Sequence, residues 1–132
     1  MGILGIITII FYNMEKIKFE SYKRLNGHDE FYEWLRTLPI KDRAKLLSVV
    51  NKTEKEGLLV AQNQKWVKKI EKNLYELRSK VSTNIQRAFY FHAEGNLFII
   101  THGFTKKDQK TPTREIKHAI EIREEWRKVH EN

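Results

Sequence analysis

Apolar and polar positions recur along this chain with periods that set out its elements. Residues 15–22 (EKIKFESY) alternate, with Ile17 and Phe19 on one side, and predict a strand. Asn26-Gly27 marks a turn. Phe31, Trp34, Leu35 and Leu38 fall at helical spacing, and Pro39 ends that helix. A second helix from about Lys41 to Glu56 sets Ala44, Leu47 and Val50 on one stripe, with Gly57 placed for a C-terminal αL cap. Residues 58–72, with Trp66, Val67 and Ile70, predict a short helical turn or an ordered loop. Residues 74–80 (LYELRSK) read as a strand with Tyr75 and Leu77 on one face and Glu76, Arg78 and Lys80 on the other. Residues 84–92 (NIQRAFYFH) form the next strand, and Glu94-Gly95-Asn96 is a hairpin turn. Residues 97–104 (LFIITHGF) return as a strongly apolar, central strand, followed by a basic loop over 105–111. Thr111 suits an N-cap and Pro112 the first helical position of a last helix, which reaches about His130 with Ile116, Ala119 and Ile120 on its apolar side.

The order β-α-α-β-β-β-α predicts an α+β domain, a small antiparallel sheet with helices packed on one face. With 40% hydrophobic residues and 7 Phe, 5 Tyr and 3 Trp, the chain can bury one modest core over residues 14–132. Residues 1–13 form an apolar extension. Its run Ile3–Phe11 is well short of the about 20 residues that span a bilayer, and it lacks the basic region and cleavage site of a signal peptide. It predicts a buried strand or a short packed helix, and Met14 is an alternative start of translation. The chain has no cysteine, which excludes disulfides, thiolate metal sites and a Cys nucleophile and fits the cytoplasm.

Charge sharpens this picture. The net charge is +8, and it is not spread evenly. Residues 65–87 carry seven Lys or Arg against two Glu; residues 104–118 carry five against two acids; the remainder sums to zero. Clustered positive charge is what a polyanion binder needs, although a merely solvated basic surface has the same composition.

The strong catalytic motifs are missing. There is no phosphate-binding Gly-rich loop, no HExxH spacing and no nucleophile elbow, and His28, His92, His102, His118 and His130 form no recognisable metal cluster, so no cofactor is expected. What remains is a set of cations on β structure. Arg87 shares a strand face with Ile85, Phe89 and Phe91, so it must either line a cleft or pair with a carboxylate such as Glu76. Arg78, beside Glu76 and Lys80, reads alone as an ordinary solvated face. Lys106, Lys107 and Lys110 sit in a loop leading to a helix N-terminus, where free N–H groups favour phosphate. Attack of a ribose 2′-hydroxyl on the neighbouring phosphate needs a base, a cation for the developing charge and an acid. Arg suits the second role. A Lys among other cations has a depressed pKa and can move a proton, as can His92 or His102, unless each is simply a satisfied strand-end residue.

Residues 74–80, 84–91 and 97–124 (LFIITHGFTKKDQKTPTREIKHAIEIRE) resemble the phage-derived, HigB-like branch of the RelE/ParE toxin superfamily: an ELR strand, an Arg-bearing aromatic strand, a strand ending in HGF, a K-K-x-x-K-T-P loop and a charged helix. The resemblance runs from about Met14 to Arg127. It implies a fold like that of microbial ribonucleases and a metal-independent endoribonuclease that cuts mRNA on the ribosome. It also implies a cognate helix-turn-helix (HigA-like) antitoxin, and no membrane. On the same ground Arg78 and Arg87 contact the scissile phosphate, and Lys106 and Lys107 stabilise charge or supply a proton. His102 stands in for a Tyr or His of the relatives, because no Tyr follows Tyr90. Lys68, Lys69, Lys80, Lys110 and Arg114 extend the RNA-binding surface. Two other readings share the fold: a ParE-like toxin acting on DNA gyrase, and a catalytically inactive prophage-derived nucleic-acid binder.

Overall fold

The computed structural model describes residues 2–3, 16–107 and 110–131. Apart from Ile3, the predicted apolar element at 3–11 and the alternative start at Met14 lie outside the described residues. Described are β1 (Lys18–Ser21), α1 (Glu30–Leu35), α2 (Ile40–Glu56), α3 (Leu58–Asn63), β2 (Val67–Glu71), β3 (Leu74–Val81), β4 (Asn84–Glu94), β5 (Leu97–Lys106) and α4 (Thr113–His130). The class is α+β, as the patterning predicts, with a five-stranded sheet in the order β1-β5-β4-β3-β2. No helix among the described residues is long and apolar enough to cross a membrane.

Several expectations are corrected. The ambiguous stretch 58–72 yields both α3 and the edge strand β2. The sheet is not wholly antiparallel, since β1 runs parallel to β5. Strands β2 to β5 follow one another through tight turns and must alternate in direction, whereas β1 is separated from β5 by the helices and is free of that constraint. The middle strand is β4, and the strongly apolar β5 lies between β4 and β1. Helices cover both faces rather than one. On one face α1, α2 and α3 bury Leu77, Ala88, Tyr90, Phe98 and Ile100. On the other, α4 sets Ala119 and Ile122 over Leu74, Phe89, Phe91, Ile99 and Phe104. Phe89 and Phe91 point away from the first helical layer, so an apolar sheet face there requires a second cover.

Within α2 the buried stripe is Asp42, Leu46, Val49, Val50 and Thr53, while Ala44 and Leu47 face solvent. Asp42 is acceptable in the core because it lies in the first helical turn and accepts a 3.1 Å hydrogen bond from Gln86 Nε2 on β4. Gly57 ends α2 and opens α3 at φ +91°, a conformation that favours glycine, but its ψ of 165° is not that of an αL cap. α4 begins at Thr113, with Pro112 rather than Thr111 as the N-cap residue. Trp34 of α1 packs against Gly103, where an added Cβ would overlap the indole ring. That contact gives the glycine of the HGF triplet a packing reason.

Candidate functional site

Strand alternation decides which cations can meet. Cross-strand registers place Lys68 beside Glu76, Glu76 beside Phe89, Arg78 beside Arg87, Arg87 beside Phe104, Lys80 beside Ile85 and Ile85 beside Lys106. All of these lie on the α4 face of the sheet, because Phe89 and Phe104 are in that core layer. Toward the β3–β4 turn the same face turns from aromatic to charged. Lys106 is the last residue of β5, not part of a loop as predicted, so the strand pleat aims it at this surface.

The centre is Glu76. Its side chain is 1% exposed, and Oε1 lies 3.5 Å from Arg87 Nε and 3.6 Å from Arg78 Nε. Thus the face of β3 predicted to be solvated contains a buried carboxylate between two guanidiniums, and Arg87, itself buried, both pairs with Glu76 and borders the cationic face. Arg87 Nη1 also donates to the Gln86 carbonyl at 3.0 Å. Burial pushes the Glu76 carboxyl above its ordinary value against the pull of Arg87, Arg78, Lys106 and Lys68. Burial likewise lowers Arg87, with Glu76 opposing and Arg78 adding to the shift. Lys106 is lowered by loss of solvent first and by Arg87, Arg78 and Lys68 as well, with Glu76 pulling the other way. A lysine so placed releases its proton more readily than a free one.

The other predicted residues distribute as follows. Lys68 and Lys80 are exposed on this face. Lys107, Lys110 and Arg114 are exposed between the end of β5 and the first turn of α4. Lys69 points to the opposite face, where it borders a groove of about 530 Å³ lined by Tyr75, Tyr90, Phe98 and Leu58. His102 is on the α4 face but is buried with both ring nitrogens engaged. Nε2 lies 2.9 Å from Glu115 Oε2 and Nδ1 lies 3.2 Å from Thr101 Oγ1. A bulge puts Thr101 and His102 opposite the single residue Phe89 and aims the imidazole at α4. Burial lowers the His102 pKa, with Glu115 opposing. In the sequence Glu76 reads only as an ion-pair partner for Arg87. The signal for more is its position, two residues from Arg78 on the same strand face and diagonal to Arg87 on β4.

The family comparison fits this layout. Residues 33–124, more than half of the chain, match the family of phage derived protein Gp49-like (DUF891). The chain belongs to that family. The match to the Gp49-like family takes in Trp34, Gly103 and every member of the Glu76 cluster. No curated protein matches the chain. Among the described residues no group of three or more His, Asp or Glu side chains is arranged to hold a metal ion.

Proposed function

We propose that this Gp49-like protein is the toxin of a type II toxin–antitoxin pair, of the HigB-like branch, and that it cleaves mRNA on the ribosome. The observation that carries this reading is the convergence of Arg78, Arg87 and Lys106 on one sheet face around Glu76. Membership in a phage-derived family is compatible with it. The reading places the protein in the cytoplasm and gives it a helix-turn-helix (HigA-like) antitoxin as its partner.

In the proposed reaction the 2′-hydroxyl oxygen bonds to the adjacent phosphorus and the P–O5′ bond breaks. The products are a 2′,3′-cyclic phosphate and a 5′-hydroxyl. Arg78 and Arg87 neutralise the charge that develops on the non-bridging oxygens. Lys106 gives a proton to the departing 5′ oxygen, since its depressed pKa makes it a better acid than an isolated lysine. Glu76 is sealed from solvent and His102 is committed to Glu115. The proton of the 2′-hydroxyl therefore leaves to solvent, and the ribosome supplies the alignment of the attacking oxygen. Lys107, Lys110, Arg114, Lys68 and Lys80 hold the flanking phosphates. The test is brief induction of the gene in bacteria with mapping of mRNA 5′ ends. New ends phased by codon within translated frames are expected. Growth arrest with intact mRNA would transfer the reading to a gyrase-directed toxin, and absence of arrest to an inactive nucleic-acid binder.

A further inference from the structure

Glu76 is an acid, 1% exposed, in the middle of a surface that otherwise gathers cations. Its distances to the two arginines, 3.5 and 3.6 Å, are ion-pair distances. They exceed the roughly 2.7–2.9 Å of a well-formed charge-assisted hydrogen bond. In keeping with this, Glu76 Oε2, Arg78 Nε and Arg87 Nε are all buried without a hydrogen-bond partner. They make up half of the six such side-chain atoms among the described residues. Buried polar atoms are nearly always satisfied, so three together in one cluster call for an explanation.

We infer that Glu76 is an internal stand-in for substrate phosphate, holding Arg78 and Arg87 by their Nε edges and yielding them when a phosphate group binds. The inference rests on reading this cluster as a phosphate site. A phosphate group offers several oxygens and engages two guanidiniums in bidentate fashion, whereas Glu76 offers one oxygen to both at long range. Without any anion the two arginines, cross-strand neighbours, would repel each other and Arg87 would be a buried unpaired charge. With too strong an internal anion they would not release to substrate. The loose geometry meets both needs, and burial already disfavours the anionic form of Glu76. Glu76 is thus a positioning residue, because its sealed carboxylate does not reach the RNA.

The test is thermal unfolding of the wild-type protein, Glu76→Gln and Glu76→Asp in rising inorganic phosphate, with ionic strength held constant by chloride. Removing one opposing charge a few ångströms away should shift the phosphate-dependent rise of Glu76→Gln to an on the order of tenfold lower concentration, while Glu76→Asp follows wild type. If the Gln variant is unfolded in chloride alone, refolding driven by phosphate supports the inference. Failure of phosphate to refold it while the Asp variant folds would overturn it, leaving Glu76 as a structural counter-ion only. Equal phosphate dependence in wild type and a folded Glu76→Gln, including none in either, also overturns it. Because the readout is ion binding, a wild-type protein that binds phosphate but cuts no mRNA defeats the nuclease reading alone.

Discussion

Two polar clusters lie on the α4 face of the sheet, and they are finished to different degrees. In the first, His102 meets Glu115 at 2.9 Å, His118 bonds to Glu30, and Arg24 joins Glu30 at 2.7 Å and Glu125 at 3.2 Å. The chain of contacts ties α1, β5, α4 and the segment after β1 into one unit. In the second, Glu76 faces Arg78 and Arg87 at 3.5–3.6 Å, and three of their polar atoms have no hydrogen bond. Burial is comparable, since His102 is 5% and Arg87 7% exposed. What differs is satisfaction. A network whose members are mutually bonded rigidifies the fold, whereas one left open retains donors that an added partner could satisfy. Under the proposed function, the histidines then belong to the architecture and the arginines to the phosphate site.

The most severe way to test that division is at Arg87. Arg87→Ala leaves the buried Glu76 without its nearest counter-ion, and removal of one member of a buried pair costs about 3–5 kcal/mol. Both the urea midpoint and toxicity should fall. Arg87→Lys keeps the charge but not the planar fork, so it should hold most of the stability while losing toxicity. Equal toxicity of the Lys variant and wild type would remove Arg87 from the chemistry.

At Lys106 the expected effects separate cleanly. The residue is at the end of β5 and half-buried, so Lys106→Ala should change stability little. Cleavage should fall by about 10²–10⁴-fold, the usual contribution of a positioned acid. The sign of the pH dependence follows from its lowered pKa. An acid acts while protonated, so cleavage is present below that pKa and is lost as pH rises through it, earlier than an ordinary lysine at about 10.4 would allow. Lys106→Arg should push this alkaline limb upward, and an unmoved limb would show that another group sets it.

How far the sequence foretold these clusters differs by region. Strand alternation alone put Arg78 and Lys80 on one face, and helical spacing found the α1 contacts Phe31 and Leu35. Period-two patterning gives the face of a residue but not its depth, and so it does not reveal that Glu76 is 1% exposed. The end of β5 was missed because Thr105 and Lys106 are polar; the first of them is held by a 2.7 Å bond to Gln86, a contact no local pattern encodes. The bulge at Thr101 and His102 is equally invisible, yet it decides that His102 turns to Glu115.

That same histidine cluster supplies a smaller effect. Glu115→Gln weakens one partly buried contact and should lower stability by about 1 kcal/mol, with cleavage per folded molecule unchanged. The folded pKa of His102 lies below its unfolded value, so the unfolded chain binds more protons near pH 6. The stability gained from neutral His102 is therefore complete above its unfolded pKa of about 6.5 and declines as pH falls below it. A drop in cleavage with normal folding in Glu115→Gln would bring His102 back into the chemistry.

The smallest effect compares two adjacent lysines. Lys68 and Lys69 are neighbours in β2, both exposed, and the pleat sends the first to the Glu76 face and the second to the groove of Tyr75 and Tyr90. Charge counting treats them alike. If RNA runs over the Glu76 face, Lys68→Ala should lower the slope of log affinity against log salt by about 0.7, one phosphate contact on a single strand. Lys69→Ala should leave the slope unchanged within error. Salt titrations of a single-stranded RNA oligonucleotide whose ribose next to the scissile position is 2′-deoxy would measure both. Equal slopes for the two variants would mean that the whole basic edge, rather than one face of the sheet, receives the RNA.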